Sequence, residues 1–215
     1  LRAFWNRITT WSPVLPMLPF SDVFTRQWHA ASSLLFGQSG FFAPLMPFVS
    51  TGPSLSFYTT DALRSTLEEF VDFDRLNSGE TRFSVAAANV RTGDFAYFDN
   101  REITIRAEHI MASGALPPGF PSVEIDGEHY WDGGLVSNTP LQYILDYVPR
   151  RSLLAFQVDL FNAEGALPTD LDGVLEREKD IRYSSRTRSA TDMYRVIHDV
   201  RHNINNLIEQ LPQAL

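Results

Sequence analysis

The chain has 215 residues, of which 44% are hydrophobic and 20% charged, and its formal net charge is −8. This length and composition are typical of one folded domain, or of a large part of one. The acidic balance argues against nucleic-acid binding, which needs a basic surface, and the lack of cysteine excludes disulfides, thiolate zinc sites and a cysteine nucleophile.

The first 60 residues combine tryptophan with closely spaced prolines, which forbid long helices. Within them, the apolar spacing over 20–36 is compatible with a helix. The stretch from Gly40 to Phe48 is apolar and interrupted by Pro44 and Pro47, so we predict an ordered loop. Two interpretations of this loop remain open: it packs on the core, or it forms a lid over a binding site.

The middle of the chain predicts a helix followed by a β-hairpin. Leu63, Leu67 and Phe70 form one apolar stripe, which indicates a helix over 61–71. We predict strands over 82–90 and 95–98, turn residues at 91–94 and a sheet extension at 103–105.

A second group of elements follows in the same order of helix and hairpin. We predict a helix over 107–113, a rigid proline-rich loop over 116–121, and a hairpin with strands at 122–125 and 130–131 around the favoured turn pair Asp126-Gly127. Further on we predict a helix over 140–147, a strand buried on both faces over 152–160, and mostly helix over 170–211, with Glu178 and Arg182 at a favourable spacing of four. This alternation predicts an α/β fold.

By composition, the chain divides into three regions. Residues 1–80 form an aromatic and proline-rich region of helix and loop, which includes the lid candidate. Residues 81–165 form an α/β core segment, and residues 166–215 form a C-terminal helical region. No segment approaches the roughly 20 consecutive apolar residues of a membrane-spanning helix.

The strongest candidate for chemistry is Asp132-Gly133-Gly134, which directly follows a predicted strand. Ligands of α/β sheets bind at strand ends, and paired glycines let the backbone turn sharply and let another group approach closely. A carboxylate held there can accept a proton or orient a partner. From the spacing alone, however, a plain turn remains the simpler interpretation.

Two segments resemble patatin-like phospholipases. Asp132-Gly133-Gly134, with Asn138 and Pro140 downstream, resembles the aspartate motif of that family, and the sequence over 112–121, Ala-Ser-Gly-Ala-Leu-Pro-Pro-Gly-Phe-Pro, resembles the segment that precedes the motif. The resemblance extends over roughly residues 83–159. It implies a patatin-like three-layer α/β/α sandwich, present here as its C-terminal part.

The resemblance also implies a function and a set of site residues. It implies hydrolysis of the carboxylic esters of lipids by a Ser–Asp dyad, with a lipid ester as substrate and no cofactor. Asp132 would be the general base, and Gly133, Gly134 and Asn138 would shape the active-site loop. Three further residues are expected to line the site, namely Ser113, Pro117 and Phe120. The apolar loop over 40–48 would then be a flap that binds the acyl chain.

The sequence departs from the family pattern at the nucleophile. The family's serine lies in Gly-x-Ser-x-Gly, but the segments around Ser39 and Ser113 lack the required glycine spacing, and the glycine-rich oxyanion loop is missing as well. We therefore expect the nucleophile on an N-terminal segment or a separate chain, and a start at Leu1 without methionine fits this view. An incomplete gene model, or Ser113 or Ser39 as a replacement nucleophile, are the open alternatives.

Two other functions compete with hydrolysis. The missing serine favours a catalytically inactive patatin-like module that binds lipid or acts as a scaffold. Trp5, Trp11 and the Phe-rich loop raise the hypothesis of peripheral membrane contact for an otherwise cytoplasmic protein. His198 and His202 lie four residues apart, but no carboxylate-rich segment accompanies them, so we expect no metal site.

Overall fold

The structure is a computed structural model that describes residues 2–9, 31–45, 54–138, 141–146, 154–158 and 160–210. The chain divides into two compact units, Leu1–Val136 and Ser137–Leu215. The first unit contains the helices and strands α1 (Arg2–Thr9), β1 (Ala43–Pro44), β2 (Tyr58–Thr59), α2 (Asp61–Phe70), α3 (Phe73–Asn77), β3 (Ser84–Asn89), β4 (Phe95–Asp99), α4 (Ala107–Ser113), β5 (Val123–Ile125) and β6 (Glu128–Asp132). Residues 31–36, between α1 and β1, are helical as well. The second unit contains α5 (Leu141–Leu145) and α6 (Leu171–Gln210).

A four-stranded sheet forms the centre of the first unit, with strand order β4-β3-β6-β5 and antiparallel pairing throughout. The β3–β4 and β5–β6 hairpins confirm the predicted hairpins. Asp126 and Gly127 join β5 to β6 with φ angles of 51° and 84°, the left-handed pair that matches the twist of a tight hairpin. The pairing of β3 with β6 joins the two hairpins into one sheet.

The core lies between this sheet and the helices that cover it. Ala87 of β3 and Ala112 of α4 are fully buried, and small side chains at both positions let the helix lie close to the strand. A second cluster joins α4 to α2 through Leu63, Leu67 and Met111. The sheet and α4 therefore pack together, and both the loop after α4 and the turn after β6 begin at this packed block.

The predicted sheet extension at 103–105 is wrong, since these residues form no strand. The backbone N–H of Ile103 donates to the carbonyl of Asp99, which closes a turn at 2.9 Å. The side chain of Asn77 then satisfies both backbone groups of Ile105, accepting from its N–H at 2.8 Å and donating to its carbonyl at 2.9 Å. A strand there would need those groups for a neighbouring strand.

The second unit is dominated by α6, a helix of 40 residues, as predicted for residues 170–211. Arg182 and Glu178 form the expected ion pair along it. The hydroxyl of Tyr194 donates to Asp146 Oδ2 at 2.9 Å, and the guanidinium of Arg177 donates to the carbonyl of Ala163 at 2.6 Å. These bonds hold α5 and the segment before α6 against the long helix.

The buried strand predicted over 152–160 is wrong where the structure describes it. Residues 154–158 and 160 have no regular secondary structure, and Phe156 is 86% exposed. A strand needs a hydrogen-bonded neighbour, and none pairs with this segment among the described residues. The α/β fold class is confirmed, with an antiparallel sheet in the described part of the chain.

Candidate functional site

Asp132 is the last residue of β6, and the chain leaves the sheet directly after it. Its backbone lies opposite Ala87 of β3, and its N–H donates to the carbonyl of Ala115 at 3.0 Å. A 3₁₀ turn (Gly133–Leu135) begins at the next residue. The backbone of Asp132 is thus fixed between the central strand and the loop that follows α4.

The carboxylate of Asp132 is half-buried and is oriented by the backbone. The N–H of Gly134 donates to Oδ1 at 2.7 Å, so the side chain caps the 3₁₀ turn. Within the described residues, Oδ2 makes no hydrogen bond. One oxygen is therefore held in place while the other can accept a proton.

Burial raises the pKa of Asp132 above its ordinary value, and the hydrogen bond from the N–H of Gly134 lowers it only in part. The net direction is upward. A carboxylate whose pKa is raised is a stronger base once it is ionised, and proton transfer is most efficient when the pKa of the base approaches the working pH. The environment of Asp132 thus favours general-base chemistry.

Gly133 is required by a close approach between the turn and β3. A Cβ at this position would lie 2.6 Å from the carbonyl oxygen of Ala86 and 3.0 Å from Cε2 of Phe95. The first distance is shorter than any ordinary contact and involves backbone, which cannot move aside easily. Glycine therefore lets the segment after Asp132 lie directly on the central strand.

The loop after α4 forms the other wall of the site. Ser113 ends α4, and the N–H of Phe120 donates to the carbonyl of Leu116 at 3.0 Å, which closes the loop on itself. The peptide bond between Pro117 and Pro118 is cis. This loop carries the Ala115 carbonyl that anchors Asp132. The segment over 112–121 and the Asp132-Gly133-Gly134 motif, which both resemble the family, therefore contact each other in the fold.

Residues from earlier in the chain pack on this loop, mainly through aromatic side chains. The ring of Phe120 lies 5.5 Å from the ring of Phe42 and 5.9 Å from that of Phe41. The N–H of Tyr58 also donates to the carbonyl of Gly119 at 3.0 Å. The described part of the apolar stretch, up to residue 45, therefore packs on the loop beside Asp132; its role as a lid stays a prediction.

Two models of known protein families match the chain. Residues 19–145, more than half of the chain, match the family model described as patatin-like phospholipase. The chain belongs to the patatin-like phospholipase family. Residues 181–215 match a second model, described as patatin phospholipase. No curated protein matches the sequence at a significant level.

Membership of this family indicates a lipid hydrolase in general terms. None of the helices in the described part of this patatin-like chain has the length and apolar character needed to cross a bilayer. Among the described residues, no group of three or more histidine, aspartate or glutamate side chains is arranged to hold a metal ion.

The remaining site candidates of this patatin-like chain have diverse surroundings. Asn138, expected to shape the active-site loop, lies in the second unit, and its buried Nδ2 makes no hydrogen bond within the described residues. Asp126 is a turn residue, as expected, and pairs with Arg106 at 3.1 Å. Asp159, which the predicted strand over 152–160 would place at a strand end as a weaker site candidate, lies outside the described residues.

Sequence reasoning missed the two carbonyls that define the site. The carbonyl of Ala115 accepts a hydrogen bond from the N–H of Asp132, and the carbonyl of Ala86 lies directly against Gly133. A backbone acceptor carries no signature in the sequence. The one signal for close packing is the run of small residues at 86–88 in β3, which predicts a strand that another segment can approach.

Proposed function

We propose that this chain supplies the general base of a lipid acyl hydrolase that uses a Ser–Asp dyad. The hydroxyl of a serine from outside these 215 residues attacks the ester carbonyl carbon, and its proton passes to the free carboxylate oxygen of Asp132. The tetrahedral intermediate then expels the alcohol, which takes that proton, and leaves an acyl-serine. Water hydrolyses the acyl-serine by the same proton route, which releases the fatty acid and restores the serine.

The observation that carries the proposal is the restrained carboxylate of Asp132. Its Oδ1 is fixed by the N–H of Gly134, its backbone is anchored on Ala115, and burial raises its pKa. The bond from Gly134 also occurs in plain Asx turns, but a surface turn would need neither the anchor on Ala115 nor the burial of the carboxylate. Family membership supports the same chemistry, and the absence of Gly-x-Ser-x-Gly from the sequence is the reason for assigning the serine to another segment.

The test is ester hydrolysis by the full-length protein, meaning these 215 residues together with the segment that carries the proposed serine. Its Asp132→Asn variant is assayed beside it. We expect the substitution to lower kcat for p-nitrophenyl butyrate by about 100- to 10,000-fold, the usual contribution of a positioned proton acceptor. Asp126→Asn is the matched control, because that carboxylate lies on an exposed hairpin turn, and its rate should stay within about twofold of wild type.

Two results would contradict this assignment. A variant that keeps more than a tenth of the wild-type rate would show that Asp132 is not the base. Wild-type protein that hydrolyses no ester, but still binds lipid vesicles, would favour the alternative function, an inactive module that binds lipid or acts as a scaffold. The missing nucleophile motif is the observation that keeps this alternative open.

A further inference from the structure

Two apolar cavities lie side by side in the first unit. The smaller has a volume of about 170 Å³ and the larger about 590 Å³. Phe4 of α1, Leu67 of α2 and Ile110 of α4 line both of them. These three side chains therefore form the partition between the two cavities.

The smaller cavity adjoins the backbone that holds Asp132. Gly114 and Ala115 line it, and the carbonyl of Ala115 accepts the N–H of Asp132 at 3.0 Å. Phe120, from the same loop, lines it as well, together with Leu63 and Met111 of the core. One hydrogen bond thus separates the wall of the cavity from the residue that carries the carboxylate.

The lining of the smaller cavity selects hydrocarbon. Among the described residues that line it, none is charged, and the single hydroxyl is that of Thr60. A lipid headgroup would lose its hydration there without gaining partners, whereas an alkyl chain would gain burial. An apolar cavity of about 150 Å³ holds one benzene molecule, so a cavity of this size accommodates about six carbons.

We propose that the smaller cavity binds the acyl chain of the substrate ester, and that Phe4 and Ile110 limit the chain to about six carbons. This inference rests on the proposed function, since it takes Asp132 as the base that acts at the ester carbonyl. The partition directs the chain end against Ile110 instead of into the larger cavity. Removal of the Ile110 side chain joins the two cavities and admits longer chains.

The first experiment compares chain-length preference in the full-length protein. We expect wild type to hydrolyse p-nitrophenyl hexanoate with a kcat/KM at least tenfold above that for the dodecanoate. Ile110→Ala should reduce this ratio tenfold or more, because each newly buried methylene group improves binding by roughly fourfold. Ile103→Ala makes the same chemical change at an exposed position outside both cavities, and it should leave the ratio unchanged.

A larger side chain at the same position provides a second variant, which tests the proposal even if the Ile110→Ala protein does not fold. Ile110→Phe adds volume to the partition, so the preference should move from hexanoate towards butyrate and acetate. The proposal is overturned if wild type prefers dodecanoate, or if both Ile110 variants keep the wild-type order of rates.

A binding experiment separates failure of this inference from failure of the proposed function. Hexanoic and dodecanoic acids are titrated calorimetrically into full-length Asp132→Asn protein, with and without Ile110→Ala. Tighter binding of hexanoic acid, with a preference for dodecanoic acid once Ile110 is truncated, supports the cavity even if no ester is hydrolysed. Equal affinities in both proteins would overturn the cavity assignment, whatever the activity of the enzyme.

Discussion

Burial of the Asp132 carboxylate has a consequence for stability as well as for chemistry. The pKa of this group is raised in the folded protein above its ordinary value of 3.8, because burial removes part of its hydration. The folded state therefore binds the proton more tightly than the unfolded state does. The contribution of Asp132 to the free energy of unfolding is fully present below the pKa that the group has in the unfolded chain. That contribution is lost as the pH rises through the higher pKa of the folded protein.

Asp132→Asn should for this reason stabilise the fold at neutral pH, because the amide keeps the acceptor for the N–H of Gly134 but carries no charge. We expect a higher Tm than wild type at pH 7, and the two melting curves should converge below about pH 4. Scanning calorimetry of full-length proteins measures this, with Asp199→Asn, exposed on α6, as the control that changes little. A variant less stable than wild type at pH 7 would contradict a penalty from burial.

At the scale of single residues, sequence reasoning singled out Asp132 as the candidate side chain but did not predict its surroundings. The strand-end position and the two glycines pointed to Asp132, and the resemblance supplied its role. The orientation of its carboxylate depends on Gly134 two residues away, which is local and could be anticipated. The anchor at Ala115 lies 17 residues away and depends on backbone groups alone, so no residue type in the sequence indicates it.

Close contact between elements positions the site, and Gly133 is where that contact is tightest. Alanine at this position would place its Cβ 2.6 Å from the carbonyl oxygen of Ala86. Either the turn or β3 must then move, and such overpacking typically destabilises a protein by about 1–3 kcal/mol. Because Asp132 immediately precedes the displaced turn, its carboxylate would move as well.

We expect Gly133→Ala to lower the Tm of the full-length protein by several degrees and to reduce esterase kcat at least tenfold. Gly114→Ala is the matched control for stability, since the nearest atom to its Cβ lies 4.0 Å away, an ordinary contact. Thermal melts of both variants make this comparison, and p-nitrophenyl butyrate assays compare Gly133→Ala with wild type. If both glycines tolerated alanine equally, the close approach of the turn to β3 would be refuted.

The success of sequence reasoning at the level of elements depended on how local the determining interactions were. The β5–β6 hairpin was predictable because Asp126 and Gly127 favour the left-handed turn by themselves. Residues 103–105 were misassigned because the side chain of Asn77, 28 residues earlier, takes the backbone groups of Ile105. The apolar pattern over 152–160 carried no information about whether a neighbouring strand exists.

On the scale of the whole molecule, the proposed function requires the chain to supply one member of a catalytic pair. Its sheet ends at β4 and β5 in the described part of the chain, and an unpaired strand edge can accept another strand. The sequence over 1–215 contains no Gly-x-Ser-x-Gly, whereas family membership and the geometry of Asp132 favour a hydrolase. The two facts agree if the serine comes from another stretch of polypeptide.

Covalent labelling of the full-length protein with a fluorophosphonate, followed by peptide mass spectrometry, tests this central claim most directly. We predict that the label is on one serine outside these 215 residues, and that Asp132→Asn slows labelling by roughly 100-fold or more while Asp126→Asn does not. A label on Ser113 or Ser39, or undiminished labelling of the Asp132→Asn variant, would contradict the account.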